Sequence, residues 1–442
     1  MEFLTAADAE DRQRRIAGGL VSAGLTVGDR VALVTTSGSA MICAILGALR
    51  VGIVPVLTHA GLLPAERERL LDDAQLALVV DDAALARLAE ADGIELAPWP
   101  LARPMHFTSG TTGTPKGVWS GVLDETEAEA LLAEEVSQWG FDAADRHLVC
   151  SPFHHSVAIR FAAGTLLSGG TVLLPGPFDA ARVAEVIATE APTTTFMVPA
   201  HLHRLLGRPD LPDLGGFRLV AHAGAPCPVP LKQAAIDAFG SEVVWEFYGS
   251  TEGQFTACSP QDWLERPGTV GRARVGRHLT SDADGTLWCE VPRWARFTYW
   301  RDPQRTAQAW RTATTDPGAF GAFSVGDLGR VDADGWVWLE GRRDDLIITG
   351  GVNVYPAEVE QALHTAPGVV DVAVFGVDDP SWGQRVCAAV VGDISVADLD
   401  RHARATLAGH KRPKDYRLVE SLPYTATGKL QRNAVAAAVG LG

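Results

Sequence analysis

The stretch FTSGTTGTPKGV, from Phe107 to Val118, has the residue types of a phosphate-binding loop. Its central part contains glycines, hydroxyl residues, one proline and one lysine, but no large apolar side chain. Such a segment cannot bury a face of its own and is expected to be a surface loop. Glycines let backbone N–H groups approach an anion closely, and the hydroxyls and Lys116 add donors and positive charge. The pattern therefore predicts a cradle for phosphate groups rather than a plain linker.

This stretch differs from the loop of P-loop NTPases, whose pattern ends in Gly-Lys-Ser/Thr. Here Lys116 follows Pro115, and Gly117 stands where the magnesium-binding hydroxyl residue should be. A proline also has no N–H group to donate to a phosphate. We therefore expect a nucleotide-binding loop that is not of the kinase or ATPase kind.

Three further segments of polar or small residues follow predicted buried strands. They are the segment ending at His155, the segment Ala223–Pro226 and the segment Tyr248–Glu252. Strands that alternate with helices predict a doubly wound α/β layer. In such sheets, ligands bind beyond the carboxyl ends of the strands. The three segments are therefore expected to meet at one site.

The motifs together resemble those of the adenylate-forming superfamily, which contains acyl- and aryl-CoA ligases, peptide-synthetase adenylation domains and luciferases. Besides TSGTTGTPKG, the matching stretches are YGSTE (248–252), GDLG (326–329), GRRDDLIITGGVNVYPAEVE (341–360) and PYTATGK (423–429). They follow in the expected order and span about three quarters of the chain. The stretch GGVNVYPAEVE is most similar to fatty-acyl and aryl-CoA ligases.

The resemblance implies ATP and Mg²⁺ as cofactors. It implies that Tyr248 stacks on adenine, that Asp327 binds the ribose hydroxyls with help from Arg342, and that Glu252 binds Mg²⁺. Thr251 is expected to contact the α-phosphate. The complete set of implied ATP-binding residues is Thr108, Ser109, Gly110, Thr111, Thr112, Gly113, Lys116, Gly224, Ala225, Pro226, Tyr248, Gly249, Ser250, Thr251, Asp327, Arg342 and Lys429.

The resemblance also implies an acid-binding pocket. Its expected residues are His154, His155, Ala223, Gly224 and Gly249. His155 resembles the residue that lies near the carboxylate in many ligases, and His154 is the alternative because this sequence reads PFHHS. The histidine pair could also suggest zinc, but no cysteine or carboxylate cluster completes a tetrahedral set.

Near the C-terminus, the resemblance makes Lys429 a catalytic residue, together with His155, Thr251 and Glu252. Lys429 would reach the attacked carboxylate and the α-phosphate. Asp344 would be the hinge about which the last hundred or so residues turn between adenylation and acyl transfer. Gly350, Gly351 and Asn353 would line the approach of the thiol.

The predicted fold class is α/β, with two domains. Residues 1–344 are expected to form a large N-terminal domain of doubly wound sheets with a small β subdomain from about Pro267 to Leu339. Residues 345–442 are expected to form a mobile, small α+β domain. About two βα units precede the phosphate loop, which suggests a trimmed N-terminus.

Composition excludes several classes of protein. The chain has 442 residues, of which 47% are apolar and 21% charged, and a formal net charge of −16. This balance argues against nucleic acid or an anionic membrane as a general partner. Six scattered cysteines without a C-x-x-C pair indicate reduced thiols in a cytoplasmic protein. A monomer or homodimer is expected, and no segment reads as a membrane span.

The sequence therefore predicts a ligase that activates a carboxylic acid with ATP and Mg²⁺ and passes the acyl group to a thiol. The acceptor would be coenzyme A or the phosphopantetheine of a carrier protein, and the acid an aryl or fatty acid. An adenylating enzyme with an amine or a small inorganic nucleophile such as nitrite stays open. So does a non-catalytic nucleotide-binding relative.

Overall fold

The structure, a computed structural model, describes residues 1–58, 64–108, 116–313, 319–342, 345–349, 352–424 and 430–441, with only the backbone at residues 64–66, 108 and 353. It contains two α/β layers, a region of short strands and a smaller C-terminal unit. The predicted α/β class is therefore confirmed. Every helix in the described ranges is too short or too polar to reach across a lipid bilayer.

The N-terminal part of the chain builds the first layer and contributes one strand, β1, to the sheet of the second. In chain order its elements are β1 (Glu2–Thr5), α1 (Ala6–Ser22), β2 (Arg30–Val34), α2 (Ser39–Leu49), β3 (Val54–Leu57), α3 (Pro64–Asp73), β4 (Leu78–Asp81), α4 (Asp82–Leu88), β5 (Met105–Thr108) and β6 (Lys116–Trp119). Strands β4, β2, β3 and β5 are parallel neighbours, and β6 pairs antiparallel with β5. Apolar runs such as VALV and VPVL suit parallel strands that are covered on both faces.

The second layer follows directly. Its elements are α5 (Glu125–Trp139), β7 (Arg146–Val149), α6 (Ser156–Leu167), β8 (Thr171–Leu174), α7 (Ala180–Glu190), β9 (Thr194–Met197), α8 (Pro199–Leu206), β10 (Leu219–His222), α9 (Val229–Phe239) and β11 (Val244–Glu246). Strands β8, β7, β9, β10 and β11 are parallel in that order, and β1 adds to β8 antiparallel. Helix α5 begins with a capping box between Asp124 and Glu127 and ends at Gly140, whose φ is +62°. These end signals fix where α5 lies along the chain.

A region of short elements forms the predicted β subdomain. It contains β12 (Thr256–Ala257), α10 (Pro260–Glu265), β13 (Arg272–Ala273), β14 (His278–Ser281), β15 (Leu287–Val291), a 3₁₀ turn (Arg293–Ala295), β16 (Thr298–Tyr299), α11 (Pro303–Ala309), β17 (Trp310–Arg311), β18 (Gly321–Phe323), β19 (Asp327–Val331) and β20 (Val337–Arg342). Strands β14, β15, β18 and β17 form one sheet, and β19 and β20 pair with each other. Strand β16 joins the first layer by pairing with β6, so this region is tied to the phosphate-loop strands.

The C-terminal unit contains β21 (Ile347–Thr349), β22 (Val352–Val354), α12 (Pro356–His364), β23 (Val369–Asp379), β24 (Gly383–Gly392), α13 (Val396–Thr406), β25 (Asp415–Leu418) and α14 (Arg432–Ala438). Strand β24 pairs with β21, β23 and β25. Two apolar clusters of this unit contain only residues from Ile347 onward. That separation is expected of a domain with its own core, although the boundary at Asp344 itself stays a prediction.

Some local predictions were wrong. Strand β1 and helix α4 were not predicted, because both are short and β1 buries only Leu4. Four strand–helix pairs, β1–α1 to β4–α4, precede the phosphate loop rather than about two, and the last three have their strand in the first sheet. Lys116 and Gly117 were expected in the loop but belong to β6, since pairing with β5 continues to Thr108 and Lys116. The six cysteines are free, as expected, and all except Cys227 are classed as buried.

Candidate active site

The two strands that flank the phosphate loop place Lys116. Strands β5 and β6 pair His106 with Val118 and Thr108 with Lys116, so both loop ends leave the sheet at the same edge. Tyr299 of β16 lies opposite Val118 on the other side of β6. The Nζ atom of Lys116 lies 4.9 Å from the centre of the Tyr299 ring. The lysine at the end of the motif is therefore held over an aromatic face.

The segment YGSTE forms a tight turn after β11. The backbone N–H of Ser250 donates to the carbonyl of Gly253 at 2.7 Å, and the N–H of Glu252 donates to Oγ of Ser250 at 3.2 Å. Gly249 is needed here because a Cβ atom would lie 2.9 Å from the Gly253 oxygen. The turn directs Thr251 and Glu252 toward the first layer.

Tyr248, Asp327 and Arg342 form one hydrogen-bonded chain. The hydroxyl of Tyr248 donates to Oδ2 of Asp327 at 2.7 Å, and Nε of Arg342 donates to Oδ1 at 3.0 Å. Burial raises the pKa of Asp327, although Arg342 acts in the opposite direction. Burial and the neighbouring carboxylate raise the pKa of Tyr248 well above its ordinary value, so the phenol remains a donor. The structure thus joins three predicted residues that lie far apart in sequence.

Glu252 is tied to the first layer by a residue that sequence reasoning missed. The hydroxyl of Tyr299 donates to Oε1 of Glu252 at 2.9 Å, and Nη1 of Arg103 donates to the Glu252 carbonyl at 3.2 Å. The second carboxylate oxygen accepts no hydrogen bond from a described residue. Burial, followed by the charge of Glu252, raises the pKa of Tyr299. No motif marked Tyr299; its pairing next to the phosphate-loop strand is the only signal.

Glu252 fits the expected magnesium ligand. Mg²⁺ prefers oxygen and commonly takes one or two carboxylates, with phosphate oxygens and waters completing its shell. No group of three or more His, Cys, Asp or Glu side chains suited to a metal ion occurs in the described ranges. A single carboxylate is therefore consistent with a metal whose remaining ligands come from a bound phosphate and water.

The turn Ala223–Pro226 lies at the carboxyl end of β10. Gly224 has φ +91°, a conformation that favours glycine, and both Gly224 and Pro226 are exposed while Ala223 is buried. The predicted position beyond a parallel strand is confirmed. Ala225 is partly buried within the same bend.

A buried polar group not predicted from the sequence lies beneath this turn. Nζ of Lys232 on α9 contacts Nε2 of His222 at the end of β10 and lies 3.6 Å from Oε2 of Glu246 at the end of β11. Lys232 and His222 are fully buried. Burial, followed by the charge of Lys232, lowers the pKa of His222, so its neutral ring accepts from the ammonium. This group ties together the strands that carry the Ala223–Pro226 and YGSTE turns.

An apolar cavity of about 850 Å³, including its open mouth, lies between α2, α5 and α6. Thr251 of the YGSTE turn forms part of its wall, as do His106 of β5 and Ser120 after β6. The remaining wall is mainly apolar and includes Leu46, Leu49, Ala128, Leu131, Leu132, Ile159, Ala163 and Leu167.

A histidine outside the predicted pair lies at the described cavity wall. The described cavity wall includes His106, whereas neither His154 nor His155 contributes to it. His155 is the residue before α6, and its ring centre lies 4.3 Å from that of His154. Nδ1 of His106 lies 3.1 Å from the His154 carbonyl, and burial lowers the pKa of His106 to about 4. Ala223, Gly224 and Gly249 are likewise absent from this described wall.

Several predicted site residues lie outside the described residues. They are Ser109, Gly110, Thr111, Thr112, Gly113, Asp344, Gly350, Gly351 and Lys429. Thr108 and Asn353 are described by their backbone alone, in β5 and β22. The roles expected of these residues stay predictions.

Comparison with known proteins gives a consistent result. The sequence profile of AMP-binding enzymes matches residues 2–99 and 103–279, and that of the AMP-binding enzyme C-terminal domain matches residues 358–429. A feruloyl-CoA synthase of Amycolatopsis is 32% identical over 98% of this chain and 93% of its own length.

Solved structures of related enzymes have the same fold. The o-succinylbenzoate CoA synthetase of Bacillus subtilis, in complex with its acyl-adenylate, is 25% identical with a TM-score of 0.82, over 97% of this chain and 92% of that one. The amide bond synthetase McbA of Marinactinospora thermotolerans is 29% identical with a TM-score of 0.83, over 98% and 94% of the two chains. The motifs, the fold and the matched profiles agree, and the chain belongs to the AMP-binding enzyme family of adenylate-forming enzymes.

Proposed function

We propose that this enzyme uses ATP and Mg²⁺ to convert a carboxylic acid into an acyl-adenylate, with release of pyrophosphate, and then transfers the acyl group to a thiol. The observation that carries the proposal is the cavity whose wall includes Thr251. An acid in this cavity would have its carboxylate beside the turn that also holds Glu252. The two reactants of adenylation would therefore meet at one place.

Adenylation brings two anions together, so the site must supply donors and cations. Lys116 and the hydroxyls of its loop would bind the β- and γ-phosphates, and Thr251 would contact the α-phosphate. Glu252 would hold the Mg²⁺, which offsets phosphate charge when bound. Lys429 would offset the charge that gathers between the carboxylate and the α-phosphate.

The hydrogen-bonded chain of Tyr248, Asp327 and Arg342 supports the nucleotide role. An ionised carboxylate offers about four acceptor positions. Tyr248 and Arg342 occupy one on each oxygen of Asp327. The remaining positions would accept the two ribose hydroxyls, and adenine would lie against Tyr248 beside the turn at Gly224.

The acid is proposed to be an aryl or fatty acid. The cavity wall is mainly apolar, and burial of an aromatic or alkyl body would provide most of the affinity. The matched relative of Amycolatopsis is a feruloyl-CoA synthase, which acts on an aromatic acid. We infer that coenzyme A, or the phosphopantetheine of a carrier protein, is the acceptor.

Pyrophosphate release provides the test. The purified enzyme is incubated with ATP, Mg²⁺ and single fatty, benzoic or cinnamic acids, and pyrophosphate is measured before coenzyme A is added. The proposal expects acid-dependent pyrophosphate release, followed by an acyl-CoA mass once coenzyme A is present. Absence of acid-dependent release over the whole panel would contradict it.

An amine acceptor is the second candidate, favoured by the similarity to the amide bond synthetase McbA. The adenylation half-reaction would be unchanged, and an amine would attack the acyl-adenylate in place of a thiol. The same incubation with a panel of amines separates the two functions. An amide product without a thioester product would favour the amine.

We also propose that residues 345–442 turn about Asp344 between the two half-reactions. Lys429→Ala should fail to form acyl-adenylate, yet still transfer the acyl group from supplied adenylate. Asp344→Pro fixes φ at the hinge and should still form adenylate but transfer slowly. Equal loss of both half-reactions in each variant would contradict the domain rotation.

The free cysteines favour a reducing compartment, and we propose the cytoplasm as the site of action. A net charge of −16 provides no general attraction for nucleic acid or anionic lipid. The partners are then the acid, ATP and the thiol. Size-exclusion chromatography with light scattering would distinguish a monomer from a homodimer.

A further inference from the structure

Arg103 is a charged residue of the cavity wall at the end that meets the turn of Thr251 and Glu252. It lies in the segment between α4 and β5, and both Arg103 and Thr251 line the cavity. Nη1 of Arg103 donates to the backbone carbonyl of Glu252 at 3.2 Å, so the guanidinium lies against the residue next to Thr251. Arg103 is only partly buried, and therefore some of its surface remains accessible to a ligand in the cavity.

Arg103 has no carboxylate partner among the described residues. Its Nη2 donates to the carbonyl of Arg296 at 2.6 Å, and no described carboxylate oxygen lies within 4.0 Å of its guanidinium. Burial, followed by the charge of Arg160, lowers the pKa of Arg103 to about 9, although Glu134 acts in the opposite direction. Withdrawing a cation from water without an opposite charge is costly, and an anionic ligand at this position would offset that cost.

The other charged residues of the described cavity wall are paired with each other. They are Arg160 of α6 and Glu135 of α5, with Nη1 and Oε1 lying 3.8 Å apart. His106 also lines the cavity, but burial lowers its pKa to about 4, so its ring is neutral near pH 7. Arg103 is therefore the cation of the described wall that is not already paired with another wall residue.

Building on the function proposed above, we propose that Arg103 is a further catalytic residue, which binds the reacting carboxylate of the acid. In adenylation, one carboxylate oxygen forms a bond to the α-phosphorus of ATP, the bond from that phosphorus to the oxygen of the β-phosphate breaks, and pyrophosphate leaves. The other carboxylate oxygen would accept from Arg103, which has N–H donors besides those used on the carbonyls of Glu252 and Arg296. The guanidinium would thus orient the acid beside Thr251.

The test compares an acid with its carboxamide, which has the same body but no charge. The acid is any member of the panel above that supports pyrophosphate release, and the carboxamide is measured as a competitive inhibitor of that release. Arg103→Met should raise the KM for the acid by about tenfold or more, the scale of a lost charged hydrogen bond. The inhibition constant of the carboxamide should change much less, because a neutral group loses only an uncharged hydrogen bond.

Control variants separate binding of the carboxylate from support of the turn. Arg103→Lys keeps the charge without the planar guanidinium and should keep part of the preference for the acid over the carboxamide. Tyr299→Phe removes the other hydrogen bond that ties Glu252 to the first layer, but it removes no charge from the cavity wall. It should therefore leave the preference for the acid unchanged, even though it slows the reaction. Arg293→Met, which removes an arginine whose side chain is 72% exposed, should alter the affinity for neither ligand.

The outcomes distinguish this inference from the proposed function. If Arg103→Met weakens the acid and the carboxamide equally, Arg103 only supports the turn and the inference is overturned. The inference also fails if this variant binds the acid as the wild-type enzyme does. Thermal melting checks the fold, and if Arg103→Met does not fold, Arg103→Gln, which keeps N–H donors but no charge, should show the same loss of preference. If no acid supports pyrophosphate release by the wild-type enzyme, the proposed function itself fails.

Discussion

The nucleotide side and the acid side of the candidate site are built differently. On the nucleotide side, side chains hydrogen-bond to one another before any ligand is present, as in the chain Tyr248–Asp327–Arg342 and the pair Tyr299–Glu252. On the acid side, three helices enclose a mainly apolar space. One side consists of hydrogen-bonded polar groups, and the other is an enclosed, mainly apolar volume.

This difference follows from what each side has to bind. ATP is the same ligand for every acid, so a pre-arranged network lowers the cost of ordering donors around it. The acid side needs only the correct volume and a few polar groups to fix orientation. Substitutions on the nucleotide side should therefore affect every acid equally, whereas those on the acid side should change the preference among acids.

The largest expected effect is a loss of stability when the buried group of Lys232, His222 and Glu246 is broken. Lys232→Met removes the ammonium between His222 and Glu246 and leaves the carboxylate buried without its cation. Breaking a buried ion pair in this way costs about 3–5 kcal/mol of unfolding free energy. Urea unfolding would measure it, with Gln233→Met at an exposed position of the same helix as the control. A loss below about 1 kcal/mol would show that the nucleotide side does not depend on this group.

Glu252→Gln should lower acid-dependent ATP–pyrophosphate exchange by about 100-fold or more, because the proposed Mg²⁺ ligand loses its charge. Tyr299→Phe is the matched smaller change, since it removes only the hydrogen bond to Oε1, and should cost roughly tenfold. Raising Mg²⁺ should restore part of the activity of both variants. Equal losses in the two variants, with no effect of Mg²⁺, would contradict the metal role.

Asp327→Asn should weaken ATP binding by about tenfold, because a charged acceptor is lost from the ribose. Calorimetry with ATP, 2′-deoxy-ATP and 3′-deoxy-ATP makes the test specific. The loss of affinity caused by the substitution should be smaller with either deoxynucleotide, since one of the two hydrogen bonds from the ribose to Asp327 is then already absent. The same penalty for all three nucleotides would indicate that Asp327 supports only Tyr248 and Arg342.

The smallest and most selective effect is expected on the acid side. Ala163→Phe fills part of the cavity from α6 and should lower kcat/KM for bulky acids by about tenfold, the scale of a steric mismatch in an apolar pocket. The KM for ATP should stay within about twofold, because no residue of the polar network is touched. If the KM for ATP rises about as much as kcat/KM for the acid falls, the acid side and the nucleotide side are not independent.

Much of the fold and part of the site could be predicted from the sequence. The strands that end at Val149, His222 and Glu246 follow from apolar runs bounded by turn residues, and parallel pairing brings their ends to one edge. Tyr299 could not be found this way, because it lies 47 residues from Glu252 and has no motif around it. Arg160, which lines the cavity from α6, was also missed, since an arginine inside an otherwise apolar helix has no distinctive spacing.

What the sequence by itself determined is the set of local segments and their chemistry. The glycines, hydroxyls and Lys116 of the phosphate loop, and the tight turn at Gly249, depend on neighbours along the chain. Tertiary structure alone decided which distant side chains meet. Tyr248 and Asp327 are 79 residues apart, and the acid cavity needs α2, α5 and α6 together. Its shape depends on how those helices pack, because packing, unlike a motif, is a property of surfaces brought together from distant parts of the chain.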